Sequence, residues 1–469
     1  MGVIPECLDV VEFLHDSGVL HDVLARIRRS SDGNARLATL SVRVPRVDPL
    51  SVLARAGGRA RGYWERPSVG EAYVGFGAAI TVQAGGDSRF GDIRAAFSDV
   101  RSHLCGLDGG APAAPQVFTR FAFSGDLERA RPFAPAHAEI PSVAYAASKD
   151  YGTIIVSAHL DAEVDFAQLA NEIVTSVAII LSADRRFEVS SDVSGFSEVG
   201  GTLVSYPERM RATIAAIQRG EFEKLVLSAY RDLSFEETID PLGVLSRARG
   251  RYPECMMFGV FDSDCAFVGA TPEWLIRCNE TTIVCDALAG SIWRGRTSTD
   301  DLLLAESLAT STTFRHEHRL VVDEIVRRLR HLDLDPMFAA EPSLRRFANI
   351  QHLFTEIRAS RPKNFHVLDA VAMLHPTPAV GCMPYAAVDS AYARFEGFPR
   401  GLYAGPIGWF DLEGSGQFAV ALRSALIDGK RARLYAGNGI VAESDPEHEM
   451  CELDRKFRPM FDALHCVTS

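Results

Sequence analysis

The chain has 469 residues, 47% of them hydrophobic, and a formal net charge of −12. That content sustains a large core and the length allows two or three domains, while the acidic balance argues against binding a nucleic-acid phosphate backbone as the main task. Nine Cys without paired spacing, a CxxC or a Cys/His cluster read as reduced thiols, not as a disulfide scaffold or a zinc site. The start, MGVIPECLDVVEFLHDSG, lacks the basic opening and long apolar core of a signal peptide. No run has the length and apolarity of a membrane span. A soluble cytoplasmic enzyme is expected.

Residues 1 to about 35 read as a helical lead-in. Alternating runs such as LATLSVRV and AYVGFGAAITV, between Leu37 and about Gln83, predict strands. Phe90 to Leu104 reads as a helix with Ile93, Ala96, Phe97, Val100 and Leu104 on one side. GLDGGAPAAP, residues 106–115, is a loop by composition. Strands follow at VFTRFAFSG, PSVAYAAS and TIIVSAHL, then a helix over Phe166 to Leu181. Asp184 to Val199 is charged and Ser-rich and reads as a connection between two halves. No chemical constellation stands out before residue 205, and structural work is expected of that half.

Tyr206 to Arg219 has helical apolar spacing at Met210, Ile214 and Ile217, and a strand then begins with Lys224 at its head. A Lys before LVLS is ordinarily a solvated strand end. MMFGVFDSDCAFVGATPEWLI predicts a hairpin turning at Asp262-Ser263-Asp264, with Glu273 at a strand end. Cys285 to Ser291 reads as a strand running into a turn at Gly290. Ser311 to Leu332 is amphipathic, with Leu320, Val321, Ile325, Val326 and Leu329 on the apolar side. It contains His316-Glu317-His318, but residues i and i+2 on a helix point about 200° apart, so the two His cannot share one ion. His352 lies in the strand-like IQHLFTE, and residues 363–374 read as a helix.

The densest signals lie between Leu374 and Lys456, where strand-like runs alternate with Gly-rich turns. Arg423 interrupts the apolar run VALRSAL. A buried charge needs a partner, and the guanidinium fork suits a carboxylate. Ala436-Gly437-Asn438-Gly439 reads as a turn with accessible backbone N–H groups. Ser444-Asp445-Pro446 opens a helix, and Glu447 completes a capping-box pattern with Ser444. Glu449 and Glu452 share one face of that helix, with Lys456 further along it. Two carboxylates and a Lys so placed suit Mg²⁺ and a substrate carboxylate, or else form a solvated helix face with one ion pair.

PTPAVG, FPRGLYAGPIGW, VALRSA, YAGNGIV and SDPEHEMCE, in this order, resemble the C-terminal signature of the chorismate-utilising enzymes. Their form is similar to isochorismate synthases rather than to anthranilate or aminodeoxychorismate synthases. The resemblance is close from about Lys224 onward and looser before it. It implies an α+β fold, two stacked antiparallel sheets flanked by helices, as one unit with an N-terminal half (1–205) and a chorismate-binding catalytic half (206–469). It also implies that Lys224 activates water and that Glu273, in GATPEWL, is the general acid on the leaving hydroxyl. For those roles Lys224 must give up a proton, and Glu273 hold one, near neutral pH.

By the same resemblance, Gly290, Ser291, His352, Tyr403, Arg423, Gly437, Gly439 and Lys456 bind the substrate, and Glu317, Glu449 and Glu452 hold Mg²⁺. The expected partner is chorismate alone, without nucleic acid, membrane or glutaminase, in a monomer or weak dimer. This chain departs from the family at Phe314, where relatives carry another acid, so a weaker metal site is expected. It departs again at Ala229, Cys382 and Asn438, the last near the carboxylate-binding segment. A salicylate synthase, which adds pyruvate elimination, is the nearest alternative. A glutaminase-dependent amino-transferring relative and a non-catalytic chorismate-binding protein are further ones.

Overall fold

The computed structural model describes residues 16–30, 36–106, 114–161, 164–187, 195–262, 265–347, 350–385 and 388–464. Among these, thirteen strands form one sheet and ten form a second, with helices packed around them, an α+β architecture. The pairings are antiparallel except for Leu37–Pro45 beside Leu104–Gly106.

Both sheets run through both halves of the chain. In the larger sheet Met256–Asp262 pairs with Ala60–Arg66, in the register Phe258 to Trp64. In the smaller one Pro406–Asp411 pairs with Gln116–Phe121, in the register Gly408 to Thr119. Inward-facing side chains of both halves fill one continuous core that includes Tyr63, Phe76, Phe118, Phe258, Phe267 and Phe410. Continuous hydrogen-bond ladders and a shared core bind the halves into one unit.

Most elements fall where the apolar spacing puts them, with shifted ends. The helix predicted over 90–104 spans Arg89–Ser102, and Leu104 starts the short parallel strand instead. The helix Thr312–Arg330 is capped by Ser311, whose Oγ accepts from the Phe314 N–H. The helix predicted over 363–374 spans Val367–Leu374. Of the lead-in, Ser17–Ser30 is a helix that buries Leu20, Val23, Leu24 and Ile27 and packs on Phe166–Leu181; residues 1–15 and 31–35 lie outside the described residues. So do 107–113 of the predicted loop, 188–194 of the connection and 263–264 of the hairpin turn. The end of that connection, Phe196–Gly201, is an edge strand on Lys224–Phe235. No helix among the described residues is long and apolar enough to cross a membrane.

Two crossings of the chain between the sheets fix the position of the site. Cys265–Thr271 belongs to the larger sheet and Trp274–Cys278 to the smaller, so Pro272-Glu273 bridges them. Gly416–Val420 and Ser424–Asp428 make the reverse crossing through Ala421–Arg423. The crossings lie side by side: the Val420 N–H donates to the Glu273 carbonyl, and the Ala270 N–H to that of Arg423.

Candidate active site

A cavity of about 1000 Å³ opens where the sheets part, and every described residue lining it lies at or beyond Ile217. Lys224, Glu273, Gly290, Ser291, Glu317 and His352 line it. So do Tyr403, Arg423, Gly437, Gly439, Glu449, Glu452 and Lys456. The structure thus gathers all thirteen candidate residues around one space.

Lys224 is no solvated strand end: it is 2% exposed. It heads the strand Lys224–Phe235, and its Nζ donates to Glu317 Oε1 at 3.1 Å. Glu317 comes from the helix Thr312–Arg330, which packs on the strand Thr282–Trp293. His316 and His318 point apart: His316 lines the cavity, while buried His318 bonds the Ala289 carbonyl and Thr355 Oγ1.

Gly437 and Gly439 correct the predicted turn. Both sit inside the strand Arg431–Ile440, with Ser228 opposite Gly437 and Val226 opposite Gly439. They are glycines for room. A Cβ on Gly439 would lie 2.8 Å from Lys224 Cε, and one on Gly437 would lie 3.1 Å from both Ser228 Oγ and the Tyr403 hydroxyl. The expectation of a strand ending at Gly290 also fails. The strand Thr282–Trp293 continues, and Gly290 is a bulge residue at φ +72° where its register on Ile350–Ser360 shifts.

Arg423 is likewise not within a strand. It stands at the crossing in the left-handed region, φ +46°, a conformation that costs a non-glycine residue roughly 1–2 kcal/mol. Its guanidinium lines the cavity, with Nη1 3.8 Å from Cys255 Sγ. Cys255 carried no sequence signal beyond preceding a strand.

Glu273 occupies the first crossing, and its N–H donates to Thr271 Oγ1. Burial pushes its carboxyl up to about 7, against the opposing pull of Lys224 and Lys456. His352 Nδ1 is 2.7 Å from Ser291 Oγ, and its buried Nε2 has no partner among the described residues. Burial, with Arg423 and Lys456 nearby, holds its ring well below the ordinary His range, so it is neutral. Tyr403 stacks on Tyr435 with ring centroids 5.1 Å apart; nothing in the sequence singled out Tyr435.

The helix Pro446–Leu464 delivers the remaining groups. The capping box does not form. Asp445 accepts from the Glu447 and His448 N–H groups, while Ser444 Oγ donates to Glu449 Oε1 and accepts from the Val441 N–H. Adjacent Ser and Asp compete for the cap, and here the Asp holds it. Lys456 Nζ bonds Glu452 at 2.7 Å and the Gly437 carbonyl at 3.1 Å. Asn438 is fully buried, and its Nδ2 donates to the Glu449 carbonyl at 2.6 Å, tying strand to helix.

Burial and the neighbouring Glu452 push Glu449 up to about 7. Burial also works against ionised Glu452, but Lys456, His448 and Lys224 together outweigh it and hold that carboxyl below the usual range. Among the described residues no three His, Cys, Asp or Glu form a ready-made metal cage. Glu317, Glu449 and Glu452 nonetheless offer only hard oxygen donors, and the mutual repulsion that raises Glu449 is what a divalent cation relieves. The donor set fits such an ion. Phe314 lines the same cavity.

The family profile for chorismate binding enzymes matches residues 22–465. The salicylate biosynthesis isochorismate synthase of Pseudomonas aeruginosa is 31% identical over 438 residues, 92% of this chain and 90% of that protein. The isochorismate synthase MenF of Bacillus subtilis is 36% identical over 248 residues, 53% of each chain. In fold, the chain is similar to the menaquinone-specific isochorismate synthase MenF of Escherichia coli, with a TM-score of 0.75 at 24% identity, covering 96% of this chain and 100% of that one. The chain belongs to the chorismate-binding enzyme family and is an enzyme of its isochorismate synthase type.

Proposed function

We propose that the protein converts chorismate to isochorismate. Water adds at C2 of the ring, the C4 hydroxyl leaves as water, and the ring double bonds shift between them, so the reaction is an isomerisation. One observation carries this reading: a single cavity holds a buried lysine amine, a carboxyl that burial pushes up to about 7, and the cations Arg423 and Lys456. Lys224 takes the proton of the attacking water and Glu273 gives one to the departing hydroxyl. Arg423 and Lys456 hold the substrate carboxylates, with Tyr403 beside them. Neutral His352, oriented by Ser291, lines the wall beside the substrate. The bulge at Gly290 sets that wall, while Gly437 and Gly439 keep space for Tyr403 and Lys224. Glu317, Glu449 and Glu452 would hold Mg²⁺, which when bound supplies positive charge for the ring carboxylate.

Incubation of purified protein with chorismate and Mg²⁺ should give isochorismate as the released product, with no ammonia required and no stoichiometric pyruvate. Salicylate and pyruvate as the main enzyme-dependent products would overturn this reading in favour of a salicylate synthase. Absence of turnover by folded protein would leave a chorismate-binding protein.

The metal assignment has its own test. Loss even of groups that merely orient metal ligands typically costs about 10–100-fold in affinity. Glu317→Gln and Glu452→Gln should therefore each raise the Mg²⁺ concentration for half-maximal activity by at least about 10-fold. Activity undiminished by EDTA would remove the metal from this account.

A further inference from the structure

Among the described residues, the strand that carries Lys224 has no strand neighbour along part of one edge. Leu225 to Ser234 pair with Arg431–Ile440 on one side. On the other side Cys382 and Met383 cover only Leu225 and Lys224, and Phe196–Gly201 begins only at Arg231. Between these, Val226 and Ser228 are buried, and buried backbone groups require partners.

Side chains and loops supply them. The Val226 N–H donates to the Gly381 carbonyl at 2.9 Å, and the Val226 carbonyl accepts from Arg400 Nη2 at 2.8 Å. The Ser228 N–H donates to Glu396 Oε1 at 2.8 Å, and the Ser228 carbonyl accepts from Arg209 Nη1 at 3.2 Å. At Tyr230, Thr202 serves both groups. Glu396 and Arg400 also bond each other, and their side chains are 1% and 2% exposed. Arg400 Nη1 reaches the Val380 carbonyl, and the guanidinium lies 4.2 Å from the ring centroids of Phe123 and Tyr392.

An ion pair this buried is a poor source of net stability, because desolvation offsets its attraction. An apolar pair of the same size would pack, but would leave the Val226 carbonyl and the Ser228 N–H unpaired. We propose that Glu396 and Arg400 are positioning residues: with Gly381 and Arg209 they stand in for a strand neighbour at Val226 and Ser228 and fix the strand head so that Lys224 Nζ stays beside Glu317 in the cavity. This rests on the reading of Lys224 as the base.

Hydrogen exchange resolved to single amides, together with steady-state kinetics, tests the proposal. In the wild type, the Val226 and Ser228 amides should exchange as slowly as those of Leu225, Leu227 and Ala229, which face Arg431–Ile440. Fast exchange at the first two would overturn the proposal without any variant. Glu396→Gln keeps an acceptor for Ser228 but removes the charge that holds Arg400. Arg400→Lys keeps the charge but cannot span both carbonyls. In whichever of them folds, exchange at Val226 and Ser228 should rise at least about 10-fold. The kcat for isochorismate formation should fall at least about 10-fold with KM within about threefold, as for a group that acts on the reacting geometry and not on binding. Faster exchange with kcat within about twofold of wild type would reduce the pair to a structural brace and overturn the proposal. A wild type without turnover would instead overturn the reading of the reaction, and the exchange measurements would then decide the clamp alone.

Discussion

Lys224→Ala should lower kcat by about 10²–10⁴-fold, the contribution typical of a positioned general base. Little else should change. The side chain is 2% exposed, and its Nζ partner Glu317 is 31% exposed, so water reaches that carboxylate once the amine is gone. In the proposed binding mode Arg423 and Lys456 remain to hold the substrate carboxylates, so chorismate should bind within about threefold of wild type, measured by titration calorimetry. Lys224→Arg should fail to restore turnover, because a guanidinium does not give up its proton in a protein. Near-wild-type kcat in Lys224→Ala would mean that another group activates the water.

The sequence exposed the chemistry of this site more clearly than its backbone. Lys224, Glu273, Glu317, Arg423 and Lys456 are far apart in the chain, yet each sits in a motif, and the structure puts them around one cavity. What the motifs could not convey is what lies beside each strand. Ala436 to Gly439 has the composition of a turn, and only the long-range pairing with Val226 to Ala229 makes it a strand. Arg423 looked interior to a strand because both flanks are apolar; they are apolar because they enter two different sheets. The Ser444 capping box failed through local competition, since Asp445 one residue on takes both N–H groups. Glu396 and Arg400 gave a visible i, i+4 spacing, which on most helices means an exposed ion pair. Their burial depends on Phe123, from the first half of the chain, and on the gap beside Val226, neither of which a local pattern contains.

Glu273→Gln should make the protein more stable at pH 8 and far less active. The carboxyl ordinarily ionises near 4.5, and burial raises it to about 7 in the folded chain. Below 4.5 the group is protonated in both folded and unfolded chains and does not alter stability. Between 4.5 and about 7 the unfolded chain has released its proton while the folded chain still holds it, so stability falls as pH rises. Above about 7 the full penalty applies, and the gap corresponds to about 3 kcal/mol. Gln keeps the shape without the titration, so thermal unfolding should show the variant above wild type at pH 8 and close to it at pH 4.5. In the proposed reaction the same carboxyl supplies the proton for the leaving hydroxyl. Wild-type kcat/KM should fall as pH rises through about 7, and Gln, with no proton to give, should cost about 10²–10⁴-fold in kcat. A stability difference between wild type and variant that did not change with pH would mean that Glu273 is already ionised in the folded protein, and the acid would have to be sought elsewhere.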